Sequence, residues 1–393
     1  MADGTSTAEA GCAMRWGKTA VLATASAVGA GAVAAVLAGR AVSDLSVRQR
    51  GGDPAAADGL RVHATAAGRV ALTRTEDTQR PGRYGLEWPD PGDGVDPGLT
   101  GHAVVGDLLE TTAQTSVRRL ERVDRGELAI GARATLTPRV HTGTPDSAFG
   151  LEYSDTAVRG ELGPMPAWYV PGLREPWVIA VHGLGADREQ VLPVLPVFSR
   201  ISVPVLAITY RNDPGAPRSP DGLGHFGSTE WRDVEAAIRL AVDSGATRIV
   251  LYGWSLGAAM VLQAAAESSW KDLVRGVVLD SAVLDWRATA QAVSRRRGVP
   301  GPLAELGVLA AEGRAGVDQR VFDRLGEGVN APILALHSPD DPIAPIAPVR
   351  RLVGRHHDQA VLNEFPHGAH AALWNVDQDG YETALSRFFT PLV

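Results

Sequence analysis

The run Gly253-Trp254-Ser255-Leu256-Gly257 constrains this chain more than any other, because it joins the apolar strand Arg248-Ile249-Val250-Leu251-Tyr252 to the small-residue stretch Ala258–Ala266, which reads as a buried helix. A serine on so tight a strand-to-helix turn is forced into a strained backbone conformation. Glycines two before and two after it let strand and helix pass without a Cβ clash. Its hydroxyl is then presented at a helix N-terminus, where backbone N–H groups can meet developing negative charge.

A serine hydroxyl is a weak nucleophile until a base activates it. Downstream, the strand Pro332–His337 ends in Ser338-Pro339-Asp340-Asp341-Pro342, and the strand Ala360–Phe365 leads into Pro366-His367-Gly368-Ala369-His370. Acids and bases at the carboxyl ends of strands are where open α/β sheets keep their chemistry. Asp340 and Asp341 are both candidates, but consecutive residues of extended chain point opposite ways, and Pro342 biases Asp341 toward the extended form. Of the histidines, His370 follows the small pair Gly368-Ala369 and precedes a helix-like run, whereas His367 sits beside a proline, so His370 is the preferred base. An oxyanion hole would draw one N–H from Leu256 and a second from Leu184, in the loop His182-Gly183-Leu184-Gly185 after the strand Trp177–Val181.

From about Pro166 onward the chain resembles an α/β-hydrolase of the serine aminopeptidase-like or BEM46-like esterase type. The residues that carry the likeness are His182-Gly183-Leu184-Gly185, Tyr210-Arg211-Asn212-Asp213, Gly253-Trp254-Ser255-Leu256-Gly257, Asp341 and Gly368-Ala369-His370. The runs Thr229–Glu235 and Trp374–Asp377 are similar to those of actinobacterial hydrolases that carry an N-terminal membrane segment. The resemblance favours Asp341 over Asp340, through the turn Asp341-Pro342-Ile343-Ala344-Pro345, and implies that His182 braces its loop. It also implies the α/β-hydrolase fold, a doubly wound and mostly parallel sheet, and cleavage of an ester, amide or related acyl bond through an acyl-serine intermediate. A small-molecule acyl substrate is therefore expected, with no cofactor and no metal. Acyl transfer, cofactor-free haloperoxidase chemistry and a non-catalytic binding role on the same fold are the competing readings.

Strand Val205–Thr209 ends at Tyr210 and Arg211, so these two should rim the site, and Trp254 stands beside the serine. All three are candidates for substrate contact, with a salt pair inside the loop as the competing role for Arg211 and a place in the core as that for Trp254. A small helical cap is expected at about 284–328, where Arg295-Arg296-Arg297 reads as solvated surface. The strands are continuous apolar runs, as expected when helices cover both faces of a sheet. A net charge of −7 with no basic cluster among aromatics speaks against nucleic-acid binding.

The N-terminus carries the second strong signal. After a tail of residues 1–18, Thr19–Gly39 is a stretch of 21 residues without a charge, preceded by Arg15 and Lys18 and followed by Arg40. As a helix it would be about 30 Å long, enough to cross a bilayer core. A single-pass membrane anchor is expected, with a cleaved signal peptide or an amphipathic or disordered arm as the alternatives. The positive charges flank both ends, so they do not orient the catalytic domain. The one cysteine, Cys12, precedes this stretch and excludes an internal disulfide. A linker at 40–59 and a β-rich accessory region at 60–165 follow, then the catalytic domain at 166–393. The accessory strands are expected to extend the hydrolase sheet at one edge. Asp90, Asp93 and Asp96 read as a solvated turn, since they lack calcium-loop spacing.

Overall fold

A computed structural model describes residues 60–89, 100–315 and 319–393. The apolar stretch 19–39, Cys12, the linker 40–59 and the acids at 90, 93 and 96 lie outside the described residues. Among the described residues no helix is long and apolar enough to cross a membrane.

Two sheets organise these residues. The first is antiparallel and built from β1 (Val62–Ala66), β2 (Arg69–Thr73), β3 (Tyr84–Pro89), β4 (Thr100–Thr111), β5 (Thr115–Arg125) and β6 (Thr135–Thr137), in the order β1-β2-β5-β4-β3-β6. One face of this sheet buries Val62, Val70, Leu72, Leu86, Trp88, Ala103 and Val105. The alternation of buried and exposed residues along β2 is what a sheet packed on one side produces.

The second sheet has eight strands: β7 (Ser154–Gly160), β8 (Gly163–Val170), β9 (Trp177–Val181), β10 (Val205–Ile208), β11 (Ile249–Trp254), β12 (Val274–Asp280), β13 (Ile333–His337) and β14 (Ala360–Glu364). Their order is β14-β13-β12-β11-β9-β10-β8-β7. From β14 to β10 all neighbours are parallel, and β8 and β7 add antiparallel at the edge. Strands β10, β11 and β13 are buried at every residue, which explains their unbroken apolar sequence. Helices Trp231–Asp243 and Leu256–Glu267 contribute to the apolar cluster on one face, and helices Leu195–Arg200 and Gln378–Phe389 to that on the other. Between β12 and β13 lie helices Trp286–Arg296, Gly301–Ala315 and Gln319–Asp323, in the interval where a cap is expected.

The accessory region divides differently from the sequence expectation. Strands β1 to β6 form a sheet of their own and do not extend the hydrolase sheet. The last strands of the expected accessory region, β7 and the start of β8, do extend the hydrolase sheet antiparallel at its edge, and the expected boundary at 165/166 cuts through β8. The sheet changes at the helix Pro145–Phe149, whose Thr144 cap accepts from Ser147 N.

Candidate active site

The turn after β11 has the geometry its glycines allow. Ser255 adopts φ 53°, ψ −115°, and helix Leu256–Glu267 begins at the next residue. Such a conformation costs on the order of 1–3 kcal/mol and persists only where neighbours enforce it. The enforcing bonds run from Ser255 N to Asp280 O (2.8 Å) and from Val283 N to Ser255 O (3.1 Å). A Cβ on Gly253 would stand 2.4 Å from Gly257 O, and one on Gly257 would stand 2.3 Å from Val181 O. Neither approach is open to any other residue.

Three parallel strands bring three side chains to this turn. Asp341 follows β13 and His370 follows β14, both at the carboxyl ends. His370 Nδ1 donates to Asp341 Oδ2 at 2.8 Å, which leaves Nε2 to accept from the Ser255 hydroxyl, also at 2.8 Å. The Asp341 carboxylate is fully buried, and its Oδ1 accepts from Ile343 N and Ala344 N, each at 2.8 Å. Burial alone would raise its pKa. The His370 and His337 rings and the Ala344 N–H outweigh that and hold the carboxyl below its ordinary value. Asp340 and His367 pair with each other instead, at 3.2 Å and largely exposed. His337, at the end of β13, donates Nε2–H to Ala344 O at 2.9 Å, and burial pushes its pKa down.

The loop after β9 lies against the serine, since a Cβ on Gly183 would come within 2.9 Å of Ser255 Cβ. Leu184 follows in this loop, and Leu256 N–H opens a helix, where no intrahelical acceptor exists. The loop is held from beneath. His182 donates from both ring nitrogens, Nδ1 to Gly183 O at 2.8 Å and Nε2 to Asp213 Oδ2 at 2.9 Å. Burial would lower its pKa, but the Asp213 charge outweighs it and holds the ring above its ordinary value. Gln190 Oε1 accepts from Gly183 N at 2.8 Å.

The three candidate substrate contacts all make contacts within the protein. Tyr210 is fully buried, stacked on His182 at 4.5 Å, and its hydroxyl donates to Gly183 O at 3.2 Å. Arg211 is buried and grips Asp233 with two parallel bonds, Nε to Oδ2 at 2.8 Å and Nη2 to Oδ1 at 2.7 Å. Trp254 stacks on Tyr252 with ring centres 4.0 Å apart, facing the core. Tyr210 and Arg211 brace the site through these bonds. Strand-end position predicts the rim of a site, but not which way a side chain turns.

Asp280, at the end of β12, was not singled out by sequence. It is fully buried, accepts from Ser281 Oγ at 2.8 Å and from Tyr381 OH at 2.5 Å, and Tyr381 OH in turn meets Tyr252 OH. Ser281 Oγ accepts from Ala371 N at 3.0 Å, next to His370. The available signal was a lone acid closing an otherwise apolar strand. A cleft lined by Lys271, Asp272, Arg275 and Asn330 sits at the opposite, N-terminal end of β12, away from this chemistry.

Comparison with known proteins agrees with this architecture. A sequence profile described as "Alpha/beta hydrolase family" matches residues 178–385, more than half the chain, and one for a domain of unknown function (DUF8805) matches residues 61–137. No curated protein matches the chain. Among solved structures, one crystal form of the Pyrococcus furiosus esterase Pf2001 superposes with a TM-score of 0.53 at 18% identity, covering 65% of this chain and 97% of that one. A second crystal form gives 0.53 at 17%, covering 65% and 95%. An esterase of Pyrobaculum calidifontis gives 0.46 at 16%, covering 62% and 87%. At these identities the likeness concerns the fold alone. By its sequence over residues 178–385, the chain belongs to the alpha/beta hydrolase family.

Proposed function

We propose that this protein is a serine hydrolase that cleaves an ester, amide or related acyl bond with Ser255 as nucleophile. The observation that carries the reading is the continuous hydrogen-bonded line from Ser255 through His370 to a buried Asp341. His370 Nε2 takes the hydroxyl proton as Ser255 Oγ attacks the carbonyl carbon. Asp341 keeps the ring in the tautomer that accepts at Nε2 and stabilises the imidazolium that forms. The N–H groups of Leu184 and Leu256 receive the oxyanion. His370 returns the proton to the leaving group, whose bond to the acyl carbon breaks. Water, deprotonated by the same ring, then releases the acid and restores the serine.

The finer placement among serine aminopeptidase-like or BEM46-like enzymes, and attachment to a membrane through residues 19–39, belong to the same proposal. Both rest on sequence motifs and on the uncharged length of that stretch. Labelling with a fluorophosphonate probe tests the activity. The wild type should react, and Ser255→Ala and His370→Ala should not. A folded wild type that stays unlabelled overturns the hydrolase reading. The same probe applied to fractionated cells tests the anchor, which requires the labelled band in the membrane fraction after alkaline washing.

A further inference from the structure

The six-stranded sheet meets the hydrolase domain at the loops that carry Asp341 and His370. Ala372 is buried in the core of that sheet, and Ala369 packs against it, so the residues flanking His370 are partly held by the accessory domain. A little further on, Asn375 Nδ2 donates to Arg83 O and Pro138 O, each at 2.8 Å, and Arg83 N donates to Asn375 O at 3.0 Å. On the acid side, Arg80 Nη1 donates to Asp340 O at 3.4 Å, one residue before Asp341. Arg80 is also paired with Glu76 at 2.8 Å and with Asp77 at 3.3 Å, and Asp77 reaches across to Arg296 on the cap helix Trp286–Arg296.

Apart from the bond to Pro138 and the packing of Ala369 and Ala372, these contacts leave from one short segment, residues 76–83, between β2 and β3. It is shaped from behind by Arg118 of β5, a fully buried guanidinium. Arg118 donates to Gly106 O (2.8 Å), Thr78 O (3.2 Å), Arg80 O (2.8 Å) and Gly82 O (2.5 Å). Burial lowers its pKa, and these four acceptors are all backbone carbonyls. A buried cation held by carbonyls is an expensive way to fix a turn. Here it fixes a turn that touches the acid loop, the short helix after the His370 loop and the cap.

We propose that residues 76–83 form a strap through which the N-terminal sheet positions the Asp341 and His370 loops, with Arg80 and Asp77 as its positioning residues. The site is then built by both sheets, and the domain matched at 61–137 works within its own chain as a brace for catalysis. The proposal rests on the serine-hydrolase reading for its kinetic consequence, but not for its structural one.

The test uses the full chain with Arg80→Ala, Arg80→Lys, Asp77→Arg, Arg296→Asp and the Asp77→Arg/Arg296→Asp double variant. Two readouts are taken: the fluorophosphonate reaction rate across pH, and amide hydrogen exchange. Arg80→Ala should slow labelling about tenfold, since small displacements of reacting groups are kinetically expensive. It should also move the acidic limb of the pH–rate profile to lower pH, because a loosened Asp341 supports the imidazolium less well. Exchange should quicken at 338–345 and 366–372, and Arg80→Lys should recover part of both losses. Each single charge reversal should impair labelling, and the double reversal should restore part of it, since the pair with position 296 is remade while that with Arg80 is not; a general loss of stability would restore nothing. Unchanged exchange at both loops in Arg80→Ala overturns the strap, whether or not the wild type labels. So does a wild-type rate and pH profile in that variant. An unlabelled wild type with quickened loop exchange in Arg80→Ala leaves the strap standing and overturns only the hydrolase reading.

Discussion

Burial pushes the Asp280 carboxyl up to about 6 from its ordinary 3.8, against the hydroxyls of Tyr381 and Ser281 and the nearby His370, which pull it down. The folded state therefore holds a proton here more readily than the unfolded chain. That stability is fully present below about pH 4 and is lost as pH rises through about 6. At about 1.4 kcal/mol per pH unit the loss is on the order of 3 kcal/mol. Denaturant midpoints of wild type and Asp280→Asn, followed across this range, should diverge in favour of the variant between about pH 4 and 6 and run parallel above it. Parallel curves throughout would mean that Asp280 is ionised at no such cost. At this same scale the reading of the sequence was uneven. Ser255, Asp341 and His370 are brought together as the strand order suggests, whereas Tyr210, Arg211 and Trp254 are turned inward. The partner that turns Arg211, Asp233, lies 22 positions further along.

Among elements, the turn between β11 and the helix Leu256–Glu267 is the one most tightly specified by its own residues. In Gly257→Ala the new methyl would meet Val181 O at 2.3 Å and His182 O at 2.6 Å, both backbone atoms at the end of β9. Backbone cannot swing aside as a side chain can, so the loop carrying Leu184 must shift or the helix must tilt. We expect a stability loss of about 1–3 kcal/mol by thermal denaturation, together with loss of fluorophosphonate labelling. A fully labelled Gly257→Ala would show that the close approach is not required. The same logic explains which strands were legible. The buried strands of the parallel sheet announce themselves as apolar runs. Strand β3 does not, because it lies in a stretch dense in proline, glycine and aspartate. β4 is interrupted by Gly101 and Gly106, and its pairing with β5 shifts register repeatedly.

At the scale of the whole molecule, the two sheets are joined by buried polar bonds as well as apolar contact. Asn375 is buried and satisfies two carbonyls of the accessory domain at once. Asn375→Ala would leave both acceptors without that partner, at about 1–3 kcal/mol each. A clear fall in the melting temperature is expected, with the two sheets still unfolding in one transition. Splitting into two transitions would mean that the sheets are independent units. In the sequence, the run Trp374–Asp377 carries only a likeness to other hydrolases. The structure gives Asn375 within it a physical task.

The sequence by itself determined the nucleophile's turn, the chain order of serine, acid and histidine, and the parallel strands that present them. These depend on local sterics and on unbroken apolar runs, which neighbours in the chain control. Only the tertiary structure decided that the N-terminal strands form a separate sheet, that a buried arginine folds a strap against the acid and histidine loops, and that the candidate substrate contacts face inward. Those outcomes turn on which distant surfaces exclude water together, and on where each polar group they bury finds its partner.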